Sequence, residues 1–281
     1  MSEPAQRRIW LVADDYGISP AVSAAIRDLI ARNRLSATSV MTSTPSFSQR
    51  EATALLDVAG SRAAIGLHVT LTGPFKPLTP GFKPVRDGAF LPLSSMAGRA
   101  LARLHDASLF EGEILSQFAA FQKAFGRAPD YVDGHQHVHV FPQIREALLR
   151  AVKKAAPQAW VRQCGRAAAA RKSFADPKGY ILDALSLRFR RLADHQGIRT
   201  NAAFAGTYSF APGAVYEKLF PGFLDGLPDG GVIMCHPGKV DDELRRLDPL
   251  TTQRESEYAF FLSQSFPRLV GERGFALASL S

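Results

Sequence analysis

Residues 8–15, RIWLVADD, run five apolar residues directly into two adjacent carboxylates. A short, β-branched and aromatic run of this kind reads as a buried strand over 8–13. Carboxylates are costly to bury unless they are paired or bind a metal, so Asp14 and Asp15 mark the place where the strand ends in a polar site. In isolation an Asp-Asp pair ahead of Gly17 would more often form a turn. The same pattern recurs three times. His68 follows AIGL, Asp133-Gly134-His135-Gln136-His137-Val138-His139 follows APDYV, and Cys235-His236-Pro237-Gly238 follows GVIM. The recurrence points to one site assembled from several strand ends.

Outward from residue 15, Ser19 and Pro20 are a plausible N-cap and first helical residue of a helix to about Asn33. Further strands are expected at 37–41, 63–71, 129–134, 159–163, 198–204, 230–235 and 274–279. Helices are expected at 48–59, 108–125, 142–155, 178–195, 213–226 and 251–270. Between them, residues 72–94 hold five prolines and three glycines, a long Pro-rich loop. Alternating strands and helices imply βαβ units and a parallel sheet. Seven or eight such units favour a single (β/α) barrel over 1–281, TIM-like, above an open doubly wound sheet. In either architecture the ligand site lies at the C-terminal strand ends, where all four polar clusters fall.

Composition narrows the function. Hydrophobic residues make up 46% of the 281 residues, enough for a large core. Two cysteines, Cys164 and Cys235, give neither a disulfide scaffold nor a cysteine-rich zinc module. No stretch resembles a signal peptide or a membrane span, so a cytoplasmic protein is expected. The net charge of +8 is concentrated in 145–199, where 13 Lys/Arg face 4 Asp/Glu. A basic region suggests an anionic partner or simply a solvated face. No nucleic-acid motif accompanies it, and no nucleic-acid partner is expected.

The site residues suggest metal-assisted hydrolysis. Three of the seven histidines, His135, His137 and His139, fall within five residues. In an extended chain the three would share a face, and in a helical turn His135 and His139 would. Either arrangement lets at least one join Asp15 and His68 on a divalent metal, with Asp133 accepting from an imidazole N–H. His236 is a candidate ligand or general acid. Arg162, at another strand end, is placed to pair with Asp14 or to belong to the basic face. Cys235 reads as a buried thiol.

Taken together and in order, V-A-D-D-Y-G, G-L-H-V-T-L-T, D-G-H-Q-H-V-H-V-F-P and C-H-P-G resemble the YdjC-like carbohydrate deacetylases, which include the chitooligosaccharide deacetylases. The resemblance spans about residues 8–277. It implies a barrel-like fold, one divalent metal ion (zinc or magnesium, with other transition metals open) and hydrolysis of an N-acetyl group on an amino sugar. By motif, Asp15, His68 and His135 are the implied ligands, with His139 the weaker candidate. Asp14 is the implied general base, His236 the general acid and Arg162 a supporting residue. Where the family commonly has histidine, this chain has Gln136. Within the family the sequence is similar to the hopanoid-biosynthesis-associated deacetylases, which implies a lipid-linked substrate such as an N-acetylglucosaminyl hopanoid. Residues 178–195, with Ile181, Leu182, Leu185, Leu187, Phe189 and Leu192 beside Arg188, Arg190 and Arg191, suit peripheral contact at the inner face of a membrane. The competing readings are a deacetylase of soluble chitooligosaccharides and a non-catalytic sugar- or lipid-binding barrel.

Overall fold

The computed structural model describes residues 6–170, 177–210 and 213–280. Strands β1 (Arg7–Tyr16), β2 (Ala37–Val40), β3 (Ala64–Val69), β4 and β5 (a hairpin, Val85–Arg86 and Ala89–Phe90), β6 (Tyr131–Gly134), β7 (Trp160–Val161), β8 (Phe204–Ala205), β9 (Gly231–Cys235) and β10 (Phe275–Leu277) make two sheets, a parallel main sheet and the antiparallel β4–β5 hairpin. The main sheet runs β7-β6-β3-β2-β1-β9-β8. Single bridges from Val161 to Thr200 and from Arg166 to Phe204 join its two ends. The result is the expected (β/α) barrel-like fold, built on seven strands. The eighth, β10, lies off the ring and pairs with the start of β1, while β2 takes the later part of β1.

The helices flank this sheet: α1 (Pro20–Ala31), α2 (Gln49–Ala59), α3 (Leu93–Leu101), α4 (Ala107–Phe125), α5 (Ile144–Ala155), α6 (Pro177–His195), α7 (Tyr216–Leu224), α8 (Asp242–Leu247), α9 (Thr252–Leu262) and α10 (Ser265–Glu272). Ser19 caps α1, its hydroxyl accepting from the Val22 amide, as the Ser-Pro signal predicts.

Strand alternation builds the barrel interior in layers. Trp10, Tyr131 and Trp160 stack near the N-terminal end, with ring centroids 6.1 Å apart for Trp10–Trp160 and 4.5 Å for Tyr131–Trp160. Two residues on from Tyr131 and Trp160 are Asp133 and Arg162, and four on from Trp10 is Asp14. The period of two therefore sets a charged layer directly above an aromatic one. Gly66 makes room for this: a Cβ there would stand 2.4 Å from the Tyr131 ring.

Several expected elements are shorter or divided. The strand expected over 198–204 contracts to Phe204–Ala205, because the Asn201 side chain takes over the ladder. Its amide accepts from the Gln163 N–H at 2.7 Å and donates to the Gln163 and Ala203 carbonyls. The helix expected over 251–270 divides into α9 and α10, with Ser263 extended at the break. The long loop is ordered and contains the β4–β5 hairpin, turned by Asp87 and Gly88 at positive φ. Buried Glu113 of α4 pins the loop by accepting from the Leu78 and Thr79 amides.

Candidate active site and metal centre

Asp14 and Asp15 occupy a register shift between β1 and β2. Asp15 sits at φ 67°, a left-handed conformation that a non-glycine residue adopts at a cost of order 1 kcal/mol or more. The irregularity turns two neighbouring carboxylates to different partners. Asp14 faces across the barrel to Arg162, which donates to both of its oxygens at 2.6 and 2.7 Å. Arg162 also reaches Asp133 Oδ2 at 2.5 Å, and Ser39 donates to that same oxygen at 2.6 Å. Asp15 turns to the imidazoles. Its Oδ1 lies 2.9 Å from His135 Nδ1 and 3.3 Å from His68 Nε2.

The histidine-rich motif adopts neither of the two expected arrangements. His135–Val140 is a 3₁₀ turn interrupted by positive φ at Gln136 and His137, so its three imidazoles point apart. His135 faces Asp15. His137 Nδ1 lies 3.6 Å from Cys164 Sγ, with its ring against Phe204. His139 Nε2 donates to the Arg162 carbonyl at 2.8 Å and packs edge-on against Phe189. The structure thus places His139 behind Arg162, away from the Asp15 group. Gly134 is required by this turn, since a Cβ there would stand 2.9 Å from His139 Nδ1.

Asp15, His68 and His135 form a buried cluster of donors that could hold an ion. Donors around one metal at bonds of about 2.1 Å stand about 3.0 to 3.4 Å apart, close to the two separations at Asp15. The protonation pattern also suits a ligand. His68 Nδ1 lies 2.6 Å from Asp133 Oδ1, and an ionised carboxylate only accepts. Nδ1 therefore carries a hydrogen, and Nε2 is the nitrogen turned toward Asp15, available to a cation once its own proton leaves. Burial alone would lower the His68 pKa, but Asp133 and Asp14 reverse that and raise it to about 10. Burial alone would likewise raise Asp15, but Arg254 and His135 hold it well below the usual carboxylate range. Asp14, Asp15, Asp133 and Asp248 set four carboxylates against two guanidinium groups, Arg162 and Arg254. With His68 neutral, as a metal ligand must be, the balance is two negative charges, which suits one divalent cation.

His236 follows β9 and stands across the site, its Nε2 4.0 Å from Asp15 Oδ2. Burial lowers its pKa, against the pull of Asp15. Glu257 accepts from the His236 amide at 2.5 Å and from the Tyr208 hydroxyl at 2.8 Å. Burial pushes the Glu257 carboxyl up to about 7. Cys235 is buried, donates to the Val12 carbonyl and has its pKa raised by burial.

Sequence reasoning missed Arg254, Glu257, Asp248 and Tyr208. Arg254 donates to Asp15 Oδ2 and to Asp248 Oδ2, both at 2.6 Å. The signal was faint. Arg254, Glu257 and Phe261 share one helical face at i, i+3 and i+7, and the buried stripe of α9 is therefore half charged.

The polar centre opens into a cavity of about 710 Å³. Asp14, Asp15, His135 and His236 line its base, and Leu93, Phe141, Ile181, Leu182, Phe210 and Leu250 are among its apolar walls. Phe75 from the long loop packs edge-on against His135 rather than lining the cavity. Part of the basic charge in 145–199 is internally paired: Arg150 and Lys154 share Glu111, Arg166 pairs with Asp183, and Arg162 lies inside the barrel. Arg171 and Lys172 fall outside the described residues. On α6, Ile181 and Leu187 are exposed at 58% and 48%. Among the described residues no helix is long and apolar enough to cross a membrane.

Known proteins match along nearly the whole chain. A chitooligosaccharide deacetylase of Escherichia fergusonii is 30% identical over 290 aligned positions, covering 98% of each sequence. Among solved structures, a protein of Enterococcus faecalis V583 described as a candidate cellobiose-phosphate cleavage protein superposes with a TM-score of 0.73 at 23% identity, covering 98% of each chain. A CE4 esterase of Streptococcus mutans superposes with a TM-score of 0.52 at 13% identity, over 97% of this chain and 85% of that one. The two structures speak to the fold alone. The model for the YdjC-like protein family matches residues 8–272, and this chain belongs to that family.

Proposed function

We propose that the protein is a divalent-metal-dependent carbohydrate deacetylase that removes the acetyl group from an N-acetylated amino sugar. The observation that carries this reading is the Asp15–His68–His135 cluster at the base of an open cavity, flanked by Asp14 on one side and His236 on the other. The Escherichia fergusonii relative, a chitooligosaccharide deacetylase, supports the same chemistry.

Asp15, His68 and His135 would hold the cation. When bound, it supplies Lewis-acid polarisation of the amide carbonyl and acidifies a water molecule. Asp14 accepts the proton of the attacking water, and the two-point grip of Arg162 fixes the direction in which that carboxylate points. Asp133 orients His68 and also draws on Arg162, so base and ligand are tied into one frame. His236 gives its proton to the departing amine nitrogen. Its lowered pKa makes the protonated imidazole a readier donor.

The substrate proposed in detail is a lipid-linked amino sugar such as an N-acetylglucosaminyl hopanoid. The apolar walls of the cavity support this, with Leu93 and Phe141 facing Ile181 and Leu182 of α6 around a polar base. Exposed Ile181 and Leu187 beside Arg188 and Arg191 support peripheral contact with a membrane. The second reading, a soluble chitooligosaccharide substrate, is favoured by the relative's activity. Acetate release from an N-acetylglucosaminyl lipid and from diacetylchitobiose, with metal content measured on the same sample, separates the two. Faster turnover of diacetylchitobiose would favour the soluble substrate. No acetate from either substrate in metal-replete protein would sink the deacetylase reading.

A further inference from the structure

The two oxygens of Asp15 have different surroundings. Oδ1 faces His135 and His68, whereas Oδ2 receives the Arg254 guanidinium at 2.6 Å. Arg254 is itself immobilised. It is fully buried, the same Nη2 donates to Asp248 at 2.6 Å, and Nε donates to the Leu250 carbonyl at 3.0 Å. A planar fork held at these points cannot swing away to release Oδ2 without breaking the others.

We propose that Arg254 is a positioning residue that confines Asp15 to single-oxygen ligation. This rests on the metal reading given above. A carboxylate free at both oxygens can chelate a cation and fill two coordination positions. Held at Oδ2, Asp15 offers only Oδ1 and leaves a position for water or the substrate carbonyl. The guanidinium charge also weakens the site's attraction for a cation. Affinity is therefore given up in favour of an open coordination sphere.

The test is Arg254→Met in the full chain, stripped with a chelator and reloaded with zinc or cobalt(II). Three quantities are measured: zinc affinity by competition with a chromophoric chelator, the visible absorption of the cobalt(II) form, and kcat on an N-acetylated amino sugar. With one positive charge and the clamp removed, zinc is expected to bind about tenfold more tightly. The cobalt spectrum should shift toward higher coordination, while kcat falls by about 10- to 100-fold. A role in stability alone would lower affinity and kcat together and leave the spectrum unchanged, and that result would overturn the proposal. Asp248→Asn keeps Arg254 on Asp15 and guards against a variant that fails to fold. It should weaken zinc binding several-fold with the cobalt spectrum unaltered, and an altered spectrum would overturn the proposal. Wild-type protein that binds neither zinc nor cobalt would instead overturn the metal reading itself.

Discussion

Asp14 and Asp15 are neighbours in sequence, both buried and both held by a buried arginine, yet they are built into different parts of the molecule. Asp14 is held from within the sheet, by Arg162 after β7, alongside Ser39 of β2 and Asp133 of β6. Asp15 is held from outside it, by Arg254 of α9. One carboxylate belongs to the barrel's own interior layer. The other is braced by a helix that also supports His236 through Glu257. Separate scaffolds give two adjacent carboxylates separate partners, and the left-handed backbone at Asp15 is what parts them.

The sharpest way to break this comparison is to remove one aspartate at a time. Asp14→Ala is expected to lower kcat by about 10³-fold while metal content stays near one ion per chain. His68→Ala should lose both activity and metal. If Asp14→Ala kept near-wild-type acetate release, Asp14 would not be the base and the division of labour would fail.

The helix side is tested by pH. Glu257 titrates at about 7, above its ordinary value of 4.5, so between those values the folded protein holds a proton that the unfolded chain has released. Wild-type stability should therefore fall as pH rises from about 4.5 to 7, by up to about 3 kcal/mol relative to Glu257→Gln. Parallel stability–pH curves for the two proteins would show that burial does not raise this carboxyl. Metal removal addresses both sides together. At a free metal concentration 100 times the dissociation constant, the ion adds about 2.7 kcal/mol, which chelation should erase as a fall in Tm. The smallest effect is expected from Arg162→Lys. An ammonium keeps the charge but cannot grip both oxygens of Asp14, so kcat should fall about tenfold with little change in metal affinity.

The sheet side of the site was legible in the sequence because each of its groups ends an apolar run. Asp14, Asp15, His68, Asp133, Arg162 and His236 all follow strand-like segments, and the barrel brings those ends together. Two kinds of information were not legible. The turn at His135–Val140 depends on left-handed residues that no periodicity announces, so the arrangement of its three imidazoles could not be read. Arg254 and Glu257 lie on a helix whose charged residues look like a solvated face until the barrel covers them. The shortened β8 has a similar origin. The IRTNAAF segment carries strand propensity, but the Asn201 side chain substitutes for backbone pairing. Local competition of this kind is invisible to pattern reading.

The pairing of β1 bears on how the molecule is made. Its first residues pair with β10, Arg7 opposite Phe275, and its middle with β9, Ile9 opposite Gly231. During synthesis β2 can join the later part of β1 early, but the strand's other edge must wait for β9 and its first residues for β10, when nearly all of the chain has been made. Such long-range closure slows folding and leaves apolar strand edges uncovered in the meantime. A nascent chain paused before residue 231 would hold an unfinished β1 whose IWLVA segment has one edge open to other chains. Aggregation during translation, rather than instability of the finished barrel, is the hazard this topology creates.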